Sequence, residues 1–168
     1  GGSNSYTSGN MTNYFFQVSH DGFNEALDRF SDFFKAPLFD KTYAEREVKA
    51  VNNEHEKNKL NDGWRGNYVA GRMSEPGHPL AKFGTGNQKT LSGDNQPALL
   101  EFYKKYYAAP NMKLSLISSM PMEVLSAVVQ KYFSDIPTRP VNIPQISSEF
   151  RKPLKGKYRL LKVKTIKD

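Results

Sequence analysis

Two glutamates on a predicted helix are the residues of this sequence best placed to do chemistry. Glu47 and Glu54 lie seven residues apart in the segment EREVKAVNNEHEKN. Seven residues make about two helical turns, so both carboxylates leave the helix on nearly the same side, about 10 Å apart along its axis. Glu47 interrupts an otherwise apolar heptad, and a carboxylate that faces a core has to be paired, protonated or bound to a cation. The spacing therefore predicts a helix that carries metal ligands.

The alternative interpretation of this helix is an acidic stripe that faces solvent. Basic residues on the same helix lie within reach of ion pairs with the two glutamates. These residues are Arg46, Lys49, Lys57 and Lys59. On pattern alone, the solvent-facing stripe is the favoured interpretation, and the metal-binding interpretation stays open.

The histidines of the chain do not have the spacing of a zinc site. His55 has Lys59 four residues later, where a His-Glu-x-x-His helix needs its second histidine. Val51 stands where the inverted His-x-x-Glu-His pattern needs its first histidine. We therefore expect His20, His55 and His78 to be surface or hydrogen-bonded side chains.

Composition and charge narrow the class of protein. The chain has 168 residues and a formal charge of +7, but residues 151–168 carry eight basic side chains and one acid, so residues 1–150 are neutral. A basic tail can bind nucleic acid, but the neutral body argues against a nucleic-acid-binding module. The absence of cysteine excludes disulfides and thiolate metal sites and suits a reducing compartment, so we expect the cytoplasm. No apolar run approaches the ~18 residues of a membrane span.

The periodicity of the sequence predicts an α+β fold, with an antiparallel or mixed sheet covered by helices on one face. Thr42 and Glu45 form a capping-box pattern at the start of the glutamate helix, which should run to about Leu60. The predicted elements are a hairpin over 3–18, helices over 21–35, 42–60, 64–73, 97–107 and 121–134, and strands over 113–118 and 156–166. Four prolines mark 137–153 as an extended linker.

Two further segments are candidates for binding surfaces, a glycine-rich loop and an edge strand. FGTGN, residues 83–87, has neither the Gly-Lys-Ser/Thr nor the preceding strand of a phosphate-binding loop, so we reject that function. Residues 4–7 should form an edge strand, to which a peptide could add by β-augmentation. The alternative is that another part of the parent protein covers this edge.

Three segments of the chain together resemble the insulinase/pitrilysin family of zinc metalloendopeptidases. They are GGSNSYTSGNMTNYFFQVSHDGFNEALDRFSDFFKAPLFD, EREVKAVNNEHEKNKLNDGWR and HPLAKFGTGNQKTL, and the resemblance covers residues 1 to about 134. It implies that Glu54 is the third zinc ligand and that Glu47 supports the site without binding the metal. It also implies that Trp64 lies near the pocket for a substrate side chain, and that an edge strand holds the substrate backbone. The strand residues are Asn4, Ser5, Tyr6 and Thr7.

The resemblance also implies what this chain lacks. The His-x-x-Glu-His segment of the family, with two zinc ligands and the general base, should precede Gly1 and is not in the sequence. We therefore expect a fragment of a zinc endopeptidase that is inactive alone, binds little or no zinc, and pairs with the remaining domains of its parent or with itself. The expected domains are a truncated catalytic-type domain over 1–136, the linker, and the start of a second domain over 154–168. The alternative function is a non-catalytic structural or assembly subunit of the same fold.

Overall fold

The structure, a computed structural model, describes residues 1–75, 77–148 and 160–166. Within these residues it contains one two-stranded antiparallel sheet and five α-helices, which confirms the predicted α+β class. The strands are β1 (Gly2–Ser8) and β2 (Met11–Gln17); the helices are α1 (Phe23–Lys35), α2 (Lys41–Lys59), α3 (Asp62–Arg72), α4 (Gln96–Tyr106) and α5 (Met122–Phe133). No helix of the described ranges is long and apolar enough to cross a membrane.

The chain divides into two compact units. The first joins Gly1–Leu38 to Phe102–Asn142, and the second joins Phe39–Glu101 to the described residues from Ile143 onward. The domain boundaries expected from the sequence stay a prediction.

The first unit is built on the predicted hairpin. β1 and β2 pair in register, with Ser5 opposite Tyr14, across a turn in which Gly9 adopts a φ of 59°. Alternation along β2 sends Tyr14 and Phe16 to the side of α1, because successive side chains of a strand point to opposite faces. The Phe16 ring lies 5.0 Å from the Phe30 ring, measured between centroids. The hairpin therefore closes over one face of α1.

The core of the first unit lies between α1 and α5. Phe23 and Leu27 lie four residues apart on one side of α1, and they pack with Leu125 and Tyr132 of α5. Leu27 is 1% exposed, the lowest value among the large apolar side chains of this core. Burial of such side chains is the main force that holds two amphipathic helices together.

The second unit begins at the glutamate helix, and its cap differs from the prediction. Asp40, and not Thr42, is the N-cap residue of α2: its carboxylate accepts hydrogen bonds from the amides of Thr42, at 2.9 Å, and Tyr43, at 3.2 Å. Aspartate is as good a cap as threonine or better, and it lies one residue before the first helical residue. The capping-box prediction over Thr42 and Glu45 is therefore wrong, whereas the helix itself is confirmed.

α3 follows α2 after a break at Leu60 and Asn61. The Asn61 side chain accepts a hydrogen bond from the Trp64 amide at 3.1 Å and so caps the new helix. Near its end, α3 approaches the short 3₁₀ turn Pro79–Ala81 so closely that a Cβ atom on Gly71 would lie 2.1 Å from the Leu80 carbonyl oxygen. A glycine is required there because any larger residue would push the two segments apart.

Two predicted strands are not observed as strands. Residues 113–118 form no strand in the structure, although Leu116 packs against the core of the first unit. Alternating apolar residues favour an extended chain, but a strand also needs a ladder partner, and in the described part of the chain β1 and β2 pair only with each other. Of the predicted strand 156–166, residues 156–159 lie outside the described residues and 160–165 are not in a strand.

Candidate functional site

Both glutamates of the predicted site lie on α2 with their side chains exposed. Neither Glu47 nor Glu54 takes part in an ion pair within the described residues. Lys59, one of the expected partners, instead binds Glu56 at 2.8 Å, and this hydrogen bond holds the pKa of Glu56 below its usual value. The two carboxylates are therefore available to a ligand from outside these residues.

The described residues supply part of a metal site only. Among residues 1–75, 77–148 and 160–166, no group of three His, Cys, Asp or Glu side chains could hold a metal ion. Zinc sites use three or four protein ligands, and a carboxylate oxygen is an accepted one. Glu54 therefore fits as one donor, and the remaining donors would have to come from residues other than those described.

Trp64 belongs to an aromatic cluster centred on Phe83. The Phe83 ring lies 5.8 Å from the Trp64 ring, 5.3 Å from the Tyr68 ring and 4.8 Å from the His55 ring, centroid to centroid. Trp64 and Tyr68 lie one turn apart on α3 and stay 39% and 41% exposed. The cluster thus joins α2, α3 and the loop after the 3₁₀ turn, and it leaves two aromatic faces open to solvent.

Residues 83–88, the FGTGN loop and the residue after it, contact three side chains of α2 that are spaced by three residues: Asn52, His55 and Asn58. The Asn52 side chain accepts a hydrogen bond from the Gln88 amide at 3.0 Å. The Asn58 amide group donates to the Thr85 hydroxyl at 3.2 Å. Between them, the Nε2 atom of His55 lies 3.5 Å from the side-chain nitrogen of Asn87. The loop is therefore fixed along one side of the last two turns of α2.

The side chain of Asn87 also organises the loop itself. Its oxygen accepts hydrogen bonds from the amides of Lys89, at 2.9 Å, and Thr90, at 3.0 Å. The Thr90 hydroxyl in return accepts a hydrogen bond from the backbone amide of Asn87 at 3.0 Å. Because the side-chain oxygen is used twice within the loop, the side-chain NH₂ group is the part that faces His55.

The predicted substrate strand is β1 of the first unit. All of Asn4, Ser5, Tyr6 and Thr7 are exposed, and the Asn4 side chain accepts a hydrogen bond from the Ser5 amide at 2.8 Å. Asn4 and Ser5 also line a groove of about 360 Å³, whose aromatic wall contains Phe30 and Phe33 of α1. The edge of β1 that faces away from β2 is unpaired within the described chain, as expected for an edge strand.

The predicted site residues fall into both units. Glu47, Glu54 and Trp64 lie on α2 and α3 of the second unit, whereas Asn4 to Thr7 lie on β1 of the first. The sequence patterns did not predict roles for Phe83, Asn87 and Asn52. The signal that could have found them is the spacing of Asn52, His55 and Asn58, because polar residues at i, i+3 and i+6 share one side of a helix.

Comparisons with known proteins identify the family. A model described as "Insulinase (Peptidase family M16)" matches residues 1–77, and one described as "Peptidase M16 inactive domain" matches residues 95–167. The insulin-degrading enzyme of Bos taurus is 39% identical over all of this chain, and the A-factor-processing enzyme of Saccharomyces cerevisiae is 37% identical over the same extent. The crystal structure of pitrilysin superposes with a TM-score of 0.83 and 34% identity over 89% of this chain.

The chain therefore belongs to the insulinase/pitrilysin family of metallopeptidases. It spans only part of its relatives: 17% of the length of the bovine and yeast enzymes and 16% of the pitrilysin chain.

Proposed function

We propose that this chain is part of a zinc metalloendopeptidase, in which Glu54 supplies one of the protein ligands to the metal. The observation that carries the proposal is an exposed carboxylate on α2 that has no ion pair within the described residues, in a chain of a metallopeptidase family. A solvated acidic stripe would instead be expected to pair with the neighbouring lysines, but within the described residues none of them pairs with Glu54, and Lys59 binds Glu56.

The other residues of this chain would bind and orient the peptide. In the proposed enzyme, β1 offers the backbone groups of Asn4 to Thr7 to a substrate that adds as a further strand. Trp64 contributes an apolar face to the pocket for a substrate side chain. Asn67 lies one turn from Trp64 on α3 and is exposed, so it adds a polar group beside the indole ring. We therefore propose that this pocket prefers substrate side chains that can lie beside a polar group.

Zinc, when bound, would supply a Lewis acid and an activated water. The residues of this chain would contribute the position of one ligand and the placement of the peptide. Because a single carboxylate does not make a zinc site, we propose that the 168-residue chain alone does not hydrolyse peptides. In this proposal the remaining domains of the parent protein provide the other ligands and are partners of this chain.

The test is a substitution of Glu54 in the full-length protein that carries this chain. Glu54→Gln keeps the size of the side chain and removes its charge, so zinc binding and cleavage of a fluorogenic peptide should both fall sharply. A chelator should abolish the cleavage by the unsubstituted protein. The matched control is Glu56→Gln, two residues later on another side of α2, which removes only an exposed ion pair of small energetic value. Cleavage and zinc content that do not respond to Glu54→Gln would refute the ligand role.

The second candidate is a structural or assembly subunit of the same fold that has no catalysis. It is favoured by the match of residues 95–167 to a domain described as inactive, and by the absence of a three-ligand cluster from the described ranges. The same assay separates the two functions, because a non-catalytic subunit would show no chelator-sensitive cleavage in its full-length form.

We also propose a cytoplasmic location, on the basis of a sequence without cysteine. Fractionation of cells that express the full-length protein tests it. For the chain by itself we propose self-association through the open edge of β1, and sedimentation at several concentrations tests that. A monomer at all concentrations would contradict it.

A further inference from the structure

We propose that residues 83–88 act as a clamp that positions Glu54, and that His55 is the positioning residue through which the clamp acts. The inference rests on the proposed ligand role of Glu54. It assigns a role to the FGTGN segment and to three polar residues of α2, for which sequence reasoning found no function.

The clamp holds the part of α2 that carries Glu54. From Glu54 to Lys59, four of the six side chains are exposed, so ordinary core packing contributes little to the position of this stretch. The contacts from Asn52, His55 and Asn58 to the loop span both sides of Glu54 along the helix. Asn58 is 8% exposed, and its bond to Thr85 is therefore partly shielded from water. These bonds therefore set where the helix backbone lies at residue 54.

His55 stands at the centre of the clamp. Its ring meets the Phe83 ring edge to face, with 4.8 Å between centroids and 77° between planes. Since Asn87 presents its NH₂ group to Nε2, that nitrogen acts as the acceptor, and the ring proton belongs on Nδ1. Nδ1 is buried and has no hydrogen-bond partner within the described residues. His55 thus contacts the loop through one nitrogen and through its ring.

The position of a metal ligand has to be held closely. Ligand side chains work when supporting residues lock them to within about 0.5 Å of the productive geometry, and loss of such support typically costs about 10- to 100-fold in metal affinity. His55 adjoins Glu54 in sequence, so a shift of the histidine backbone is a shift of the glutamate. Contacts at 55 therefore act on the carboxylate through the helix and not by touching the metal.

Two substitutions in the full-length protein remove the contact without removing its surroundings. His55→Phe keeps an aromatic ring against Phe83 and removes both ring nitrogens. Asn87→Ser keeps a side-chain oxygen that can accept from the amides of Lys89 and Thr90 and removes the NH₂ group that faces His55. Asn53→Ala is the matched control, because Asn53 also adjoins Glu54 but is exposed and makes no such contact.

The measurements are the zinc dissociation constant, by chelator competition, and hydrogen exchange of the α2 amides in the metal-free protein. Both clamp variants should weaken zinc binding about 10- to 100-fold and speed exchange over residues 54–59, whereas Asn53→Ala should change neither. The double variant should be no worse than the weaker-binding single variant, since both changes remove one contact.

The outcomes separate this inference from the proposed function. If Glu54→Gln loses zinc while His55→Phe and Asn87→Ser bind it as tightly as the unsubstituted protein, the clamp is refuted and the ligand role stands. If Glu54→Gln also binds zinc normally, both are refuted. Should His55→Phe fail to fold, Asn87→Ser alone decides, because a serine oxygen retains the hydrogen bonds within the loop.

Discussion

The phenolic oxygens of Tyr14, on β2, and Tyr107, just after α4, lie 2.5 Å apart in a hydrogen bond. The Tyr14 ring also meets the Phe34 ring edge to face, with 5.7 Å between centroids. One phenol pair therefore joins the hairpin, the end of α1 and the end of α4. Burial, together with the bond to Tyr14, raises the pKa of the Tyr107 phenol above its usual value of 10.0.

This pair predicts a loss of stability at alkaline pH. A phenol whose pKa is higher in the folded than in the unfolded state stabilises the fold below the unfolded pKa and loses that contribution as the pH rises. The free energy of unfolding should therefore fall above about pH 10. Tyr107→Phe should make this fall with pH less steep. The substitution should cost about 1 kcal/mol at neutral pH, the usual value of one hydrogen bond. Thermal unfolding midpoints from neutral to alkaline pH measure both effects.

The control is Tyr43→Phe, because the Tyr43 side chain is 68% exposed. Its removal should leave the alkaline slope unchanged. If Tyr107→Phe and Tyr43→Phe give the same pH profile, the buried phenol pair does not control alkaline stability.

The cap of α2 gives a second prediction. Asp40→Ala removes an acceptor of two backbone amides at the start of the helix, so it should lower the free energy of unfolding by about 1 kcal/mol. Thr42→Ala removes a side chain with no capping bond and should stay within about 0.5 kcal/mol. Chemical denaturation of the two variants compares them directly, and a larger effect of Thr42→Ala would restore the capping box as the cap.

The error at this cap illustrates what the sequence could determine. The pattern of Thr42 and Glu45 located the start of α2 to within two residues, since serine, threonine, aspartate and asparagine all cap helices. Which of them caps depends on backbone angles at a single residue, and these angles are not encoded in a spacing rule. Existence and type of helix were therefore predictable, and the capping atom was not.

Pairing between segments that are distant in sequence was the second feature that the sequence patterns could not predict. The hairpin was predictable because its two strands are joined by a short turn at Gly9. Residues 113–118 have the same kind of alternation, but nothing in their own pattern specifies a partner, and they form no ladder in the described chain. The clamp on α2 was missed for the same reason: Asn52 and Gln88 are 36 residues apart in sequence.

Two glycines of α3 form a matched pair for the third prediction. A Cβ atom on Gly71 would lie 2.1 Å from the Leu80 carbonyl oxygen, whereas one on Gly66 would have no neighbour within 4 Å. Gly71→Ala should therefore destabilise by about 1–3 kcal/mol, the range of overpacked sites. Gly66→Ala should stabilise by up to about 1 kcal/mol through helix propensity alone. Opposite shifts of the unfolding midpoint are expected, and equal shifts would contradict the close approach of α3 to the 3₁₀ turn.

Glu47 gives the last prediction, which concerns the function proposed for the whole protein. Glu47 leaves α2 on nearly the same side as Glu54 but about 10 Å earlier along the axis, so we expect it to support the site without binding the metal. In the full-length protein, Glu47→Gln should reduce zinc affinity and peptide cleavage by about 10- to 100-fold, the usual effect of losing a residue that orients a ligand. Glu54→Gln should cost more in both.

The matched control is Glu45→Gln, an exposed residue two positions before Glu47, which leaves the helix on the opposite side because two residues turn it by about 200°. It changes the charge of α2 as Glu47→Gln does, so the difference between the two variants isolates position from charge. Equal losses of zinc affinity in Glu45→Gln and Glu47→Gln would mean that the negative charge of the helix, and not the geometry of the Glu47–Glu54 pair, attracts the metal. A loss confined to Glu47→Gln and Glu54→Gln would assign the effect to the stripe that these two residues share.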